Sequence, residues 1–120
     1  MRGKEYLTKS GQYTLVYDKG SSWASDLIVM KALPNGLELS RYGLSVSRRV
    51  GKAVVRNRLK RQLREILRSA PFKPGRDIIF IARPRAAAAS FAGLEKSVQG
   101  LLARAKILAS EYEEACLRTN

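Results

Sequence analysis

Apolar residues recur at helical spacing in three stretches of the chain and at strand spacing between them. Val55, Leu59, Leu63, Ile66 and Leu67 fall on one continuous arc of a wheel turned by about 100° per residue. That pattern predicts a helix held to a core by one side, separated from what precedes it by Gly51 and ended by Ala70-Pro71. Phe91, Leu94, Val98, Leu101, Ala105 and Leu108 repeat at the same spacing and predict a long amphipathic helix packed on the core. A shorter helix is expected from Ser10 to Gly20. Ser10 is placed to cap it, Tyr13, Val16 and Tyr17 share a face, and Gly20 lies just past its end.

Between the helices the period shortens. Trp23 to Leu33 is strand-like and closes on the turn signal Pro34-Asn35-Gly36. Leu37 to Ser47 alternates, with Tyr42, Leu44 and Val46 on one side and Gly43, Ser45 and Ser47 on the other. Asp77 to Ala82 is an almost unbroken apolar run after Pro74-Gly75, as suits a strand covered on both faces or central in its sheet. The order is αβββαβα, an open sheet with helices packed on it. At 120 residues the chain is read as one domain, 1–120, with 1–8 and about 110–120 frayed.

Charge changes this picture. The net charge is +13, and between Arg48 and Arg68 nine Lys/Arg stand against one acid, Glu65. Arg56, Lys60, Arg64 and Arg68 form an i, i+4 stripe beside the apolar arc, flanked by Asn57 and Arg61. Like charges so spaced repel, and cations near a helix N-terminus oppose its dipole. A helix that breaks both rules on one face is suited to a bound polyanion, which reverses both penalties. Nucleic acid is favoured over a membrane surface. No apolar run approaches the roughly 20 residues of a membrane span, and the basic helix has no Trp or Phe on its apolar face.

Other chemistry is restricted. Cys116 is alone and the N-terminus shows no apolar signal core, so a reducing cytoplasm is the expected compartment. There is no His, which removes the commonest general base and zinc ligand. The one tight carboxylate group, Glu111, Glu113 and Glu114, lies near the C-terminal end, so a protein-held two-metal nuclease site is hard to build. Protein-only catalysis is therefore disfavoured, and no metal site is assigned to the chain.

Three features could together hold RNA. Guanidinium groups of the basic helix suit phosphate. Tyr13 and Tyr17, one turn apart, suit stacking on unpaired bases, though core packing is the more ordinary use of such a pair. The small residues Gly43, Ser45 and Ser47 leave room for an extended strand, or equally for a packed helix.

Gly43 to Glu65, GLSVSRRVGKAVVRNRLKRQLRE, strongly resembles the signature of the protein subunit of bacterial ribonuclease P, centred on Arg56-Asn57-Arg58, Leu59-Lys60-Arg61 and Arg64. Tyr13, Val16, Tyr17 and Gly20 match the family's two aromatics before a glycine, and DIIFIARPRA matches its next strand. The similarity runs from about Leu7 to Leu108. It implies a two-layer α/β sandwich, akin to a domain of a small-subunit ribosomal protein. The sheet would be mostly antiparallel, with about four strands, and the basic helix would make a left-handed crossover between two parallel ones. It implies a large catalytic RNA as partner, cleavage of the 5′ leader from precursor tRNA, and Mg²⁺ held mainly by that RNA. The polypeptide would be an accessory subunit, monomeric without RNA.

By this resemblance Arg56, Asn57, Arg58, Lys60, Arg61 and Arg64 fall on the motif that contacts the catalytic RNA, and Arg48, Arg49, Lys52 and Arg68 extend the same cationic surface. Tyr13 and Tyr17 fall on the aromatics of a leader cleft between the first helix and the sheet, with Lys31, Ser45 and Ser47 on its sheet side. There are two departures. Tyr6-Leu7-Thr8-Lys9 carries one cation where members usually have more. Met30-Lys31 stands where some place an aromatic, so a Lys–phosphate contact is the expected replacement. The alternative function is a structural RNA-binding protein of ribosomal type.

Overall fold

The computed structural model describes residues 4–7, 9–70 and 72–106. The elements are β1 (Lys4–Tyr6), α1 (Ser10–Lys19), β2 (Ser21–Ala24), β3 (Ile28–Pro34), β4 (Ser40–Ser45), α2 (Ala53–Ser69), β5 (Arg76–Ala82) and α3 (Phe91–Arg104). Short turns of 3-10 helix at Arg48–Val50 and Pro84–Ala88 precede α2 and α3.

The sheet has five strands in the order β1-β4-β5-β3-β2. β1 and β5 run parallel to β4, while β3 is antiparallel to β5 and β2 to β3. The expected element order, αβββαβα, is present along the chain, and β1 precedes it and joins the sheet at one edge. Its three residues, expected to be frayed, pair from Lys4↔Ser40 to Tyr6↔Tyr42. So short a strand shows no period in sequence, and its pairing makes the sheet evenly mixed rather than mostly antiparallel. Residues 1–3 and 107–120, with Leu108, Cys116 and the Glu111–Glu114 group, lie outside the described residues.

β5 is central, as its apolar run requires. Ile78, Phe80 and Ala82 face the main core with Ile28, Met30, Leu59, Leu63, Leu67, Leu94, Val98 and Leu101. On the opposite face Ile79 packs with Val16 and Leu7, and Ile81 and Leu33 border them. α2 and α3 thus cover one face, and α1 lies on the other as a partial third layer. This is why β5 lacks alternation: both its faces are covered.

Two local expectations are corrected. Pro34-Asn35-Gly36 is not a hairpin turn, because β5 lies between β3 and β4. The segment arches over the start of β5: the Asn35 N–H donates to Gly75 O (2.9 Å), and the Gly75 N–H donates to Leu39 O (3.2 Å). Asp77, 3% exposed, anchors the arch. It accepts from Asn35 Nδ2 at 2.8 Å and from Arg41 Nε and Nη2 at 2.8 and 2.6 Å. At the start of α1, Ser10 gives no side-chain cap; Gln12 Oε1 instead accepts from the Lys9 N–H at 3.2 Å. Gly20 has an extended backbone, and glycine is needed there because a Cβ would stand 2.5 Å from Val16 O.

Candidate nucleic-acid interface

α2 buries Leu59, Leu63, Ile66 and Leu67, with Val55 packed beside them, as its period requires. No acid stands in its first turn. Arg48 and Arg49 on the 3-10 turn, Lys52 at the helix N-cap, and Asn57, Arg61, Arg64 and Arg68 along it are exposed, while Arg56 and Lys60 are half-buried. Among the described residues Arg48, Arg49, Lys52, Lys60 and Arg61 make no side-chain hydrogen bond or ion pair. The Arg68–Glu65 pair at 3.4 Å is solvent-exposed and correspondingly weak. Arg64 holds its guanidinium carbon 6.0 Å from the centroid of the Tyr6 ring.

Two motif arginines are engaged within the fold. Arg56 Nε donates to Gly51 O at 3.1 Å, tying the first turn to its entry. Arg58, half-buried, donates from Nη2 to Ala87 O at 2.6 Å and pins the Pro84–Ala88 turn against α2. The helical wheel separates Arg58 from the other cations, and a distant segment meets it there. Arg58 stands on the opposite flank of the apolar arc from Arg56, Lys60 and Arg64.

The second surface lies across the sheet, under α1. Strand alternation puts Gly43 and Ser45 of β4, Ile79 and Ile81 of β5, and Lys31 and Leu33 of β3 on this face. The register sets Gly43, Ile79, Lys31 and Ser22 in one row, with Ser45, Ile81, Val29 and Ala24 in the next. The room above Gly43 is filled by Tyr13. A Cβ at Gly43 would stand 2.2 Å from the Tyr13 hydroxyl oxygen, and that hydroxyl donates to Leu7 O at 3.5 Å. Burial pushes the Tyr13 phenol pKa up. Tyr17 adds to the rise, and a backbone hydrogen bond at Leu44 opposes it.

The two tyrosines therefore divide the readings their spacing left open. Tyr13 is a half-buried floor, and Tyr17, 39% exposed, is the ring open to solvent. Lys31 and Ser45 are half-buried on the same face, and Ser47 is exposed at the entry to the 3-10 turn. Among the described residues no three His, Cys, Asp or Glu side chains come together as metal ligands. Nor is any helix there long and apolar enough to cross a membrane.

The fold and its cationic crossover helix define a small α/β protein with a dense positive face. Comparison with known proteins makes this specific. The family model for ribonuclease P matches residues 1–106. The ribonuclease P protein component of Dehalococcoides mccartyi (strain CBDB1) is 46% identical over 120 residues, covering 100% of both chains. The solved ribonuclease P protein of Staphylococcus aureus superposes with a TM-score of 0.76 at 30% identity, over 91% of this chain and 100% of that one. That of Thermotoga maritima gives 0.74 at 32% identity, over 82% and 96%.

The chain belongs to the ribonuclease P protein family, as the signature from Gly43 to Glu65 implies. It is an accessory subunit of ribonuclease P, a ribonuclease of tRNA processing, and ribonuclease P RNA is its partner.

Proposed function

We propose that the exposed cations of α2 and of the Arg48–Val50 turn grip the catalytic RNA, while the groove between α1 and the sheet holds the 5′ leader of precursor tRNA. The observation carrying this reading is the row of unpartnered cations on a helix whose other side is locked into the core. Arg48, Arg49, Lys52, Lys60 and Arg61 gain charge-assisted bonds to phosphate without giving up any within the protein. Arg64, Arg68 and Asn57 extend the row, and Arg56 and Arg58 support it from behind. In the groove, Tyr17 offers a ring to an unpaired base, Lys31 a cation to the leader backbone, and Ser45 and Ser47 a low polar wall.

Under this reading the Mg²⁺ chemistry belongs to the RNA. The buried carboxylate of the described residues, Asp77, is already matched by Arg41 and Asn35 and is not free to bind metal. The subunit works in the cytoplasm and is a monomer until it meets RNA.

The test is reconstitution of purified chain with catalytic RNA, using precursor tRNA with and without its leader, at low Mg²⁺. The chain should restore cleavage and tighten binding of the leader-bearing substrate more than of mature tRNA. Equal tightening of both would remove the groove from the leader, and cleavage unaffected by the chain would overturn the proposal entirely.

A further inference from the structure

Tyr6 stands beside the α2 surface, at Arg64, with no role yet assigned to it. β1 is an edge strand, and the pairing Tyr6↔Tyr42 turns the Tyr6 ring toward the α2 side of the sheet, away from Tyr13 and Tyr17. Its centroid is 4.7 Å from that of Tyr42, tilted by 47°, and Tyr42 is 6.0 Å from Phe72. The three rings form a ladder whose inner members are buried and whose outer one, Tyr6, is 41% exposed. Capping Tyr42 and hydrogen-bonding its side chain account for the inner edge and the hydroxyl of Tyr6. A second ring carried to solvent, with Arg64 6.0 Å from its centroid, is more than a cap requires.

We infer that Tyr6 and Arg64 form a stacking slot for one unpaired nucleobase of the catalytic RNA. The inference rests on α2 being the face that meets that RNA. A flat base between a ring and a guanidinium needs about 7 Å, two contact distances of about 3.5 Å. The present gap of 6.0 Å is short of that by about one ångström, within the reach of an exposed arginine. The ring cannot retreat to match, because Tyr42 and Phe72 stand behind it. That makes it a rigid platform whose ordering cost is met in folding. Arg68, one turn beyond Arg64 and paired among the described residues with exposed Glu65, is placed for the adjoining phosphate. Tyr6 also answers one departure from the family pattern. The segment before α1 is poor in cations, and here it contributes a ring to the same face instead.

The experiment compares Tyr6→Leu, Tyr6→Phe and wild-type full-length chain for affinity to catalytic RNA, alongside thermal midpoints. Tyr6→Leu keeps an apolar cap on Tyr42. Like Tyr6→Phe, it removes the hydrogen bond between the two side chains, so the pair of variants separates that bond from the ring face. Tyr6→Leu should bind about tenfold more weakly, with the salt slope unchanged because no phosphate contact is lost. Tyr6→Phe should bind within about twofold of wild type, since the ring face is kept. In wild type, photo-cross-linking to catalytic RNA carrying 4-thiouridine should place an adduct on Tyr6, a readout that no folding defect can imitate. Wild-type affinity in Tyr6→Leu, or adducts that avoid Tyr6, would overturn the slot alone. A loss seen only with leader-bearing precursor tRNA in the assembled enzyme would overturn its assignment to the catalytic RNA. Failure of wild type to bind that RNA would overturn the proposed function as well.

Discussion

Replacing Gly43 by alanine tests whether Tyr13 is the floor of the groove. The added Cβ would stand 2.2, 2.5 and 2.8 Å from Oη, Cζ and Cε2 of Tyr13. Carbon contacts settle near 3.5–4.0 Å, so the ring must move by about 1 Å or more. It is the far end of a side chain and can swing, but only by leaving Leu7 O and the cluster of Leu7, Val16 and Ile79. The cost belongs in the lower half of the about 1–3 kcal/mol typical of overpacking. A domain of this length unfolds with an entropy of about 0.25 kcal/mol/K, so the thermal midpoint should fall by about 4–8 °C. Circular dichroism melts measure this directly. The swing also lifts the ring toward the groove, so precursor tRNA with its leader should lose affinity for the reconstituted enzyme while mature tRNA does not. Adding Tyr13→Ala removes the clash, so the double variant should be less destabilised than the sum of the two singles. A Gly43→Ala midpoint within about 1 °C of wild type, or strict additivity, would refute the packing argument.

Arg61 and Arg58 should part company. Arg61→Ala should leave the melt unchanged, weaken binding to the catalytic RNA, and make log K against log salt shallower by about 0.7–0.9. Arg58→Ala strands the Ala87 carbonyl and should destabilise the fold by about 1–2 kcal/mol in urea titrations; an unchanged urea midpoint would show that the Ala87 bond is not structural. Tyr42 is pushed up to about 12, first by burial and then by Tyr6 beside it. Its raised value means that the folded chain holds this proton more tightly than the unfolded one. The stabilisation is therefore complete below about pH 10 and lost as pH rises through about 12. Tyr42→Phe should flatten the stability profile in that window, and a slope identical to wild type would contradict the burial argument.

What could be read from the chain depended on how local the determining physics was. α2 announced itself because 17 residues carry an apolar arc and a cationic stripe with little ambiguity of period. β5 did so because a strand covered on both faces has no polar side to interrupt it. β1 did not, being three residues long and dependent on a partner 36 positions away. The strand-like run from Trp23 to Leu33 breaks into β2 and β3 at Ser25, whose hydroxyl accepts from the Leu27 and Ile28 N–H groups at 3.3 and 3.1 Å. The Ser-Asp pair alone does not specify that turn; the pairing of β2 with β3 does. At the candidate site the cations were readable one by one, but their division was not. Arg58 turns inward because Ala87, 29 residues on, arrives beside it, and Tyr13 sinks because Gly43 leaves room beneath it. Both are meetings of distant segments, which spacing along one helix cannot reveal.

The strand in the middle of the sheet is also the last of the described strands to be synthesised. Until residues 76–82 have left the ribosome, β3 and β4 have no neighbour between them. Only the β2–β3 ribbon and the short β1–β4 pair are then available. α2 emerges before its floor exists, while its own charges push it apart. No nascent piece ending short of Arg76 can therefore close a core, and folding waits until about two-thirds of the chain has emerged. An interrupted product is a strongly basic, edge-exposing fragment that resembles neither the subunit nor half of it. By placing the central strand of the sheet after α2 in the chain, the fold makes translation through Ala82 a condition for presenting an ordered cationic helix at all.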